Sequence, residues 1–340
     1  MSANESFITK NVTGVTVIKE NEEIDSESED SDVSPFVLTP ISFRSLVGHD
    51  DEVNACCFSP NWTRLISGGD DCVVKVWDTS SGQPVFTLRS HTGAIKCCCF
   101  APCSEMFATG SYDHSTIIWD SNTGKEIHTL QGHTHSVETC SFANDSTWLC
   151  TGSWDCLAII WSVKTGEAVY TCSGHTSAVQ CCAFSTDSMY MASGSWDCSV
   201  RLWSLDLLLV SRHDGTAPLS HVLQGHKSNV KAVSFSCKGL LASASWDLTV
   251  ILWDVKTKSM NFILRGHTGW IQACAFSPDG NTLVSAADDR TVRVWDVNEG
   301  ECLKELECNT EEIHTCCFKP NGALLASGPV EPYEKEIRIY

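Results

Sequence analysis

Positive charge and long apolar runs are both scarce in this 340-residue sequence. No run reaches about 18 apolar residues, the length that a membrane-spanning helix needs, and the first residues lack the charged-then-apolar order of a secretory signal. Lysine and arginine number 23 against 42 aspartates and glutamates, so the formal net charge is −19. Because nucleic-acid phosphates require a basic surface, nucleic acid is disfavoured as a partner. We expect a soluble cytoplasmic protein with neither a membrane nor a nucleic-acid partner.

Motifs of the common enzyme classes are also missing. The sequence has no Gly-rich phosphate loop, kinase signature, nucleophile elbow or His-Glu-x-x-His motif. Its 20 cysteines lack paired Cys-x-x-Cys spacing, and clusters such as Cys97-Cys98-Cys99 and Cys181-Cys182 recur at one place in a predicted strand. Cysteines there are expected to act as small buried hydrophobes rather than as a zinc or disulfide site. We therefore predict no cofactor and no metal.

A frame that starts at Gly-His, or at Ser-His in the second copy, and ends at Trp recurs along the chain, as in Gly132-His133 to Trp161. The His-to-Trp spacing is identical in five copies and one position shorter in the copy from His226 to Trp253. Each copy carries three or four short apolar strands separated by turns. A repeat of roughly forty positions with this strand content indicates a β-propeller, whose closed ring removes the exposed sheet edges that invite aggregation.

Each of six copies also holds one His, one Ser or Thr, one Asp and one Trp at matching positions. These residues are His49, Ser67, Asp71, Trp77; His91, Thr109, Asp113, Trp119; His133, Thr151, Asp155, Trp161; His175, Ser193, Asp197, Trp203; His226, Ser243, Asp247, Trp253; and His267, Ser285, Asp289, Trp295. The pattern resembles the WD40 repeat across residues 41 to 340. The resemblance implies an all-β fold, a single seven-bladed propeller, with the four residues forming one structural hydrogen-bonded tetrad per blade.

The seventh copy departs from that pattern. Asn309 stands in the place of His, Ser327 is kept, Glu334 replaces Asp, and Tyr340 replaces Trp. Since its polar tetrad is only partly rebuilt, we expect this blade to be the least stable.

The domain prediction divides the chain into an acidic tail, residues 1–38, and a propeller, residues 39–340. Positions 1–33 carry −7 of the −19 charge and few apolar side chains, so the tail is predicted to be disordered. Residues 41–47 occupy the place of an outer strand, which the seventh copy lacks. They are expected to pair beside residues 337–340 and close the last blade, as WD40 propellers usually do. The longer connection at 205–218 is either an extended strand packed on the next blade or an exposed apolar patch.

The recurring Asp, His and Ser side chains superficially resemble a hydrolase triad. A hydrolase needs one activated nucleophile in one cleft, whereas six equivalent sets serve six equivalent blades. We therefore predict a structural role for the tetrads and no enzyme activity.

The residue before each tetrad Asp lies in a turn on the same face as the Gly-His loops. It is Asp70, Tyr112, Trp154, Trp196, Trp246 and Asp288 in successive copies. Trp270, immediately before the first strand of the sixth copy, is expected to join the same face. In WD40 proteins this position commonly contacts partners, and amphipathic aromatic residues are typical interface anchors. Two interpretations remain: the rings bind a partner, or they cover the blades by packing on one another. Around the central opening, Lys96 and Lys231 are candidate anchors for an acidic side chain of the partner.

The resulting functional hypothesis is a non-catalytic scaffold that binds a protein or peptide partner through this top face, as a monomer or as a subunit of a larger complex. One alternative is a substrate receptor of a cullin-type ubiquitin ligase, a role that some WD40 proteins fill through a Trp-Asp-x-Arg sequence. Here the residue in the Arg position is Ser80, Asn122, Lys256 or Asn298. A second alternative, suggested by related propellers, is a ciliary assembly or transport factor, so a ciliary or nuclear location is also considered.

Overall fold

The structure is a computed structural model that describes residues 16–17, 44–205, 219–307, 315–318, 324–327 and 336–339. Regular structure in these ranges is β-strand throughout, and no helix found there is long and apolar enough to cross a membrane. Several predictions fall outside the described residues: those on the rest of the acidic tail, on the connection at 206–218, and on Asn309, Glu334 and Tyr340.

Two short strands precede the repeated sheets, β1 (Thr16–Val17) and β2 (Arg44–Val47). Six sheets of four antiparallel strands follow, in each of which the strands pair in chain order. Their strands are β3 to β6 (Val53–Phe58, Arg64–Gly69, Val74–Asp78, Pro84–Leu88), β7 to β10 (Ile95–Phe100, Met106–Ser111, Ser115–Asp120, Glu126–Gln131), β11 to β14 (Val137–Phe142, Trp148–Ser153, Ala158–Ser162, Ala168–Cys172), β15 to β18 (Val179–Phe184, Tyr190–Ser195, Ser199–Ser204, Leu219–Gln224), β19 to β22 (Val230–Phe235, Leu240–Ser245, Thr249–Asp254, Ser259–Arg265) and β23 to β26 (Ile271–Phe276, Thr282–Ala287, Thr291–Asp296, Cys302–Glu307).

The second strand of each four-stranded sheet is buried on both faces after its first residue. Its last three residues are Gly, Ala, Ser or Thr, because the next sheet closes directly on them. A Cβ added at Gly152 would lie 2.6 Å from Val179 Cγ1, and one at Gly194 would lie 2.6 Å from Val230 Cγ1. Such distances are too short for real side chains, so glycine at these positions sets how closely neighbouring sheets approach.

The apolar core lies between neighbouring sheets rather than within one. One cluster joins Ile118 of the second sheet to Leu149 and Trp161 of the third, and similar clusters join the other consecutive pairs. The first strands of consecutive sheets also adjoin one another, from β3 through to β23. Sheets that share cores in sequence order around their first strands form the blades of a propeller.

Strands of the seventh repeat are β27 (Thr315–Phe318), β28 (Leu324–Ser327) and β29 (Glu336–Ile339). β28 pairs with β27 on one side and with β1 on the other, so Thr16–Val17, within the predicted tail, form a strand of this sheet. β29 instead pairs antiparallel with β2, with Arg44 opposite Ile339 and Val47 opposite Glu336. β2 therefore lies where residues 41–47 were expected, beside the last strand of the chain.

β2 also belongs to the first blade through its side chains. Leu46 is fully buried and packs with Val53, Leu65 and Trp77 of the first sheet. One short strand thus joins its backbone to the seventh repeat and its apolar side chain to the first, which connects the two ends of the ring.

Candidate functional site: the top face

The four polar residues of each of the six complete repeats meet in one hydrogen-bonded tetrad. His Nδ1 lies 2.8–2.9 Å from the Asp Oδ2, and His Nε2 lies 2.7–2.9 Å from the Ser or Thr hydroxyl. The Trp indole N–H donates to the same hydroxyl over 2.8–2.9 Å. The structure therefore brings together every member of the six sets that the sequence pattern grouped.

Proton positions follow from this geometry. The hydroxyl accepts the indole N–H, so its single proton is available to donate to His Nε2. His Nδ1–H then donates to the aspartate, and every group is satisfied with a neutral imidazole and an ionised carboxylate. The six hydroxyls are fully buried, so no substrate reaches them as nucleophiles.

Each tetrad aspartate also holds the top-face backbone. Its Oδ2 accepts the N–H of the residue after the His, and its Oδ1 accepts the N–H two residues beyond the Asp itself, as Asp155 does for Thr134 and Leu157. Burial alone would raise the pKa of Asp197, but hydrogen bonds from His175, Ser199 and the Thr176 N–H outweigh it and hold the pKa well below the ordinary value. The pKa values of the other five tetrad aspartates are shifted in the same direction.

The residue before each aspartate is fixed by its own backbone. Its N–H donates to a carbonyl of the loop that precedes the first strand of the same blade, as from Trp154 to Ser136, Trp196 to Ala178 and Trp246 to Asn229. The residue after the aspartate has a φ of 61–70°, which closes the turn tightly. The side chains at positions 70, 112, 154, 196, 246 and 288 are therefore presented from a rigid rim.

Four tryptophans of this rim form a continuous row, called here the aromatic row: Trp154, Trp196, Trp246 and Trp270. Ring centroids lie 5.8 Å apart for Trp154–Trp196, 6.4 Å for Trp196–Trp246 and 4.6 Å for the stacked pair Trp246–Trp270. The two ends of the row are the most open, with Trp154 39% and Trp270 48% exposed, whereas the two middle rings are half-buried. The rings thus both pack on one another and leave an exposed aromatic surface, so each of the two interpretations describes part of the row.

Tyr112 continues the rim on the second blade, beside the blade of Trp154, but contacts different rings. It is 58% exposed and lies edge-on to His114, with centroids 6.5 Å apart, and His114 stacks on His135 at 6.1 Å. Sequence reasoning missed both histidines. The signal was their place beside the motif, because His114 follows a tetrad Asp and His135 comes two residues after a tetrad His.

The two lysines predicted as anchors at the central opening already have partners within the protein. Lys96 Nζ lies 3.1 Å from Asp70 Oδ1 in an ion pair, and Lys231 Nζ donates to Gln180 Oε1 over 2.9 Å. Burial lowers the pKa of Lys231, partly offset by the carboxylates of Glu138 and Asp288. A partner carboxylate would have to compete with these contacts, which weakens both lysines as anchors.

Comparison with known protein families matches the WD domain, G-beta repeat, at residues 41–78, 82–120, 124–162, 166–204, 217–254, 258–296 and 300–340. The chain belongs to the WD40 family. The seven matched segments include the seventh repeat, in which three of the four tetrad positions are changed.

Curated WD40 relatives are similar over short stretches. The nuclear distribution protein nudF of Aspergillus flavus is 41% identical over 17% of this chain and 13% of its own length, and ribosome assembly protein 4 of Chaetomium thermophilum is 37% identical over 19% and 13%. The human WD repeat and SOCS box-containing protein 1 is 42% identical over 18% and 15%. These matches span less than a sixth of each relative's length.

Cysteines of the WD40 blades lie mostly in the interblade core as free thiols. Cys150 Sγ lies 3.1 Å from Cys182 Sγ on the neighbouring blade, and burial raises the pKa of Cys172 and Cys274 to about 12. Such thiols stay protonated and pack as apolar groups. Within the described ranges, no three His, Cys, Asp or Glu side chains are arranged to hold a metal ion.

Proposed function

We propose that this WD40 propeller is a non-catalytic scaffold that binds a protein or peptide partner through the aromatic row and the neighbouring Tyr112. The observation that carries the proposal is an exposed aromatic surface on rigid turns: Trp154, Trp270 and Tyr112 are among the most exposed large apolar side chains of the described residues. The tetrads below account for the buried His and Trp residues but give no reason for aromatic rings at the rim. Rigid amphipathic rings of this kind are typical anchors of protein interfaces.

Removal of the rim rings tests the proposal. Replacing Trp154, Trp196 and Trp246 together by Ala should abolish the main interaction, each ring contributing about 1–3 kcal/mol. Proximity labelling with the wild type beside the triple variant identifies partners whose labelling is lost, and thermal unfolding checks that the variant stays folded. Because Trp196 and Trp246 are half-buried, a second variant, Trp154→Ala with Trp270→Ala, removes only the more exposed ends.

A matched control removes exposed apolar side chains elsewhere on the propeller. Met189 lies in a turn on the opposite face, and Ile263 and Leu303 lie on fourth strands at the outer edge. Replacing all three by Ala should leave the labelled partners unchanged. If both Trp variants still label the same partners, the binding site lies outside the aromatic row.

A substrate-receptor role in a ubiquitin ligase is the second candidate, favoured only by the similarity to a relative whose name includes a SOCS box. The Trp-Asp sequences at the ends of four blades lack the following Arg, which argues against it. Co-purification that recovers the propeller's partners but no cullin adaptor would remove this candidate.

A further inference from the structure

Ionised carboxylates directly follow three rings of the aromatic row in the chain. Three of its rings, Trp154, Trp196 and Trp246, each immediately precede a tetrad aspartate in sequence. The hydrogen bonds of each of these tetrads lower the pKa of the aspartate and keep its carboxylate ionised.

Further carboxylates lie at one end of the row and on the first blade, which the second blade separates from Trp154. The Trp270 carbonyl accepts the backbone N–H of Asp288 over 2.9 Å, which places that aspartate at the exposed end. On the first blade, burial and the carboxylates of Asp70 and Asp51 raise the pKa of Glu52 despite Lys96 nearby, a sign of crowded negative charge. The chain from position 34 onward still carries −12.

Nearby basic side chains offset the negative charge of these carboxylates only in part. Lys96 is paired with Asp70, Arg201 donates to the Gly174 carbonyl, and Arg293 is paired with Glu305. Lys227 and Arg290 are exposed, and each adjoins a tetrad aspartate: the Lys227 backbone N–H donates to Asp247, and Arg290 follows Asp289 in the chain.

The indole rings themselves add to the attraction for positive charge. The face of an indole is the negative part of its quadrupole, so it attracts a Lys or Arg side chain that lies over it. The ionised carboxylates and the indole faces therefore each attract a cation. The apolar area of the rings still favours hydrophobic neighbours.

We infer that the segment that docks on the aromatic row is cationic, with Arg or Lys side chains interleaved with apolar residues. This inference rests on the proposed function, because it names the chemistry of the partner for that same surface. Charge complementarity then selects among partners, and it makes association sensitive to salt.

Three labelled synthetic peptides test the inference on the full chain by fluorescence polarisation. They repeat Gly-Arg-Ser-Leu, Gly-Gln-Ser-Leu or Gly-Glu-Ser-Leu and are acetylated and amidated. The Arg peptide should bind at least about tenfold more tightly than the Gln peptide in about 50 mM salt, and the advantage should shrink at about 500 mM. The Glu peptide should bind most weakly.

Two substitutions separate the aromatic and the charge contributions. Trp154→Leu with Trp270→Leu keeps apolar area but removes the indole faces, so binding of the Arg peptide should weaken about five- to thirtyfold while the Gln peptide changes little. Asp288→Asn should weaken the Arg peptide about two- to fivefold. Its matched control, Asp187→Asn, removes the same charge from an exposed turn on the opposite face and should have no effect.

Failures of the two proposals are distinguishable. If the Gln peptide binds as tightly as the Arg peptide and both lose binding when the row tryptophans become Ala, the docking surface stands and its cationic preference is wrong. Equal losses in Asp288→Asn and Asp187→Asn, or no binding of the Arg peptide, also overturn the cationic preference. Partner labelling that survives loss of the rings counts against the docking surface itself.

Discussion

A single carboxylate holds several parts of each blade together. Asp197 accepts hydrogen bonds from His175 Nδ1 at 2.8 Å, from the Thr176 N–H at 3.0 Å and from the N–H and hydroxyl of Ser199 at 2.9 and 2.6 Å. These donors come from the loop before the first strand and from the start of the third strand. The aspartate thus fixes the turn that presents Trp196, and its role is architectural.

Replacing Asp197 by Ala should destabilise the propeller by about 1–3 kcal/mol, because the His175 N–H loses its acceptor in a buried site. The midpoint of urea unfolding measures the loss. Glu167→Ala, at an exposed position of the preceding blade, is the control and should stay within about 0.5 kcal/mol of wild type. Equal stability of both variants would show that the tetrad contributes little.

At the scale of elements, the short strand β2 connects the two ends of the ring. Its backbone pairs with β29 and its Leu46 side chain enters the core of the first blade. Each of the six complete blades draws its four strands from a nearly continuous stretch of chain, whereas β2 and β29 come from opposite ends of the propeller sequence. Contacts between such distant segments make the ring cooperative.

Adjacent residues of β2 provide a matched test. Leu46 is 1% exposed and Val47 is 63% exposed. Leu46→Ala should lower the free energy of unfolding by about 2–5 kcal/mol, whereas Val47→Ala should change it by about 0.5 kcal/mol or less.

Deletion of residues 1–48 should lower the melting temperature by many degrees. A melting temperature that deletion leaves unchanged would rule out this strand as the closure of the ring.

The whole molecule combines six ionised tetrads in one ring, so its stability should depend on pH in the acid range. Folding lowers the pKa of each tetrad aspartate below the ordinary value of about 3.9, because hydrogen bonds from His and the backbone outweigh burial. A group whose pKa is lower in the folded state stabilises the protein at pH values above its unfolded-state pKa. This stabilisation is lost as the pH falls through the folded-state pKa.

The free energy of unfolding should therefore decline steadily as pH falls below about 4. Urea unfolding at a series of pH values measures it, and the Asp197→Ala variant should show a shallower decline because it lacks one of the six groups. A free energy that does not change between neutral pH and about pH 3 would contradict ionised tetrads.

Much of this architecture was determined by the sequence alone, because local patterns are sufficient for it. Repeat period, strand alternation and the spacing of His49, Asp71 and Trp77 specify a blade whose members all come from one short stretch of chain. The aromatic positions were likewise predictable from their place beside the tetrad aspartate. A repeat that bonds mainly within itself and to its neighbours can be deduced one copy at a time.

Only the tertiary structure decided what depends on neighbouring blades. It stacked Trp270 on Trp246, left the middle rings of the row half-buried and brought His114 against His135. It also paired Lys96 of the second blade with Asp70 of the first and placed β1 beside β28. These contacts join residues that no local pattern links, and their geometry depends on how closely one sheet packs on the next. Ring packing and charge pairing across blades therefore determine the shape and charge of the top face.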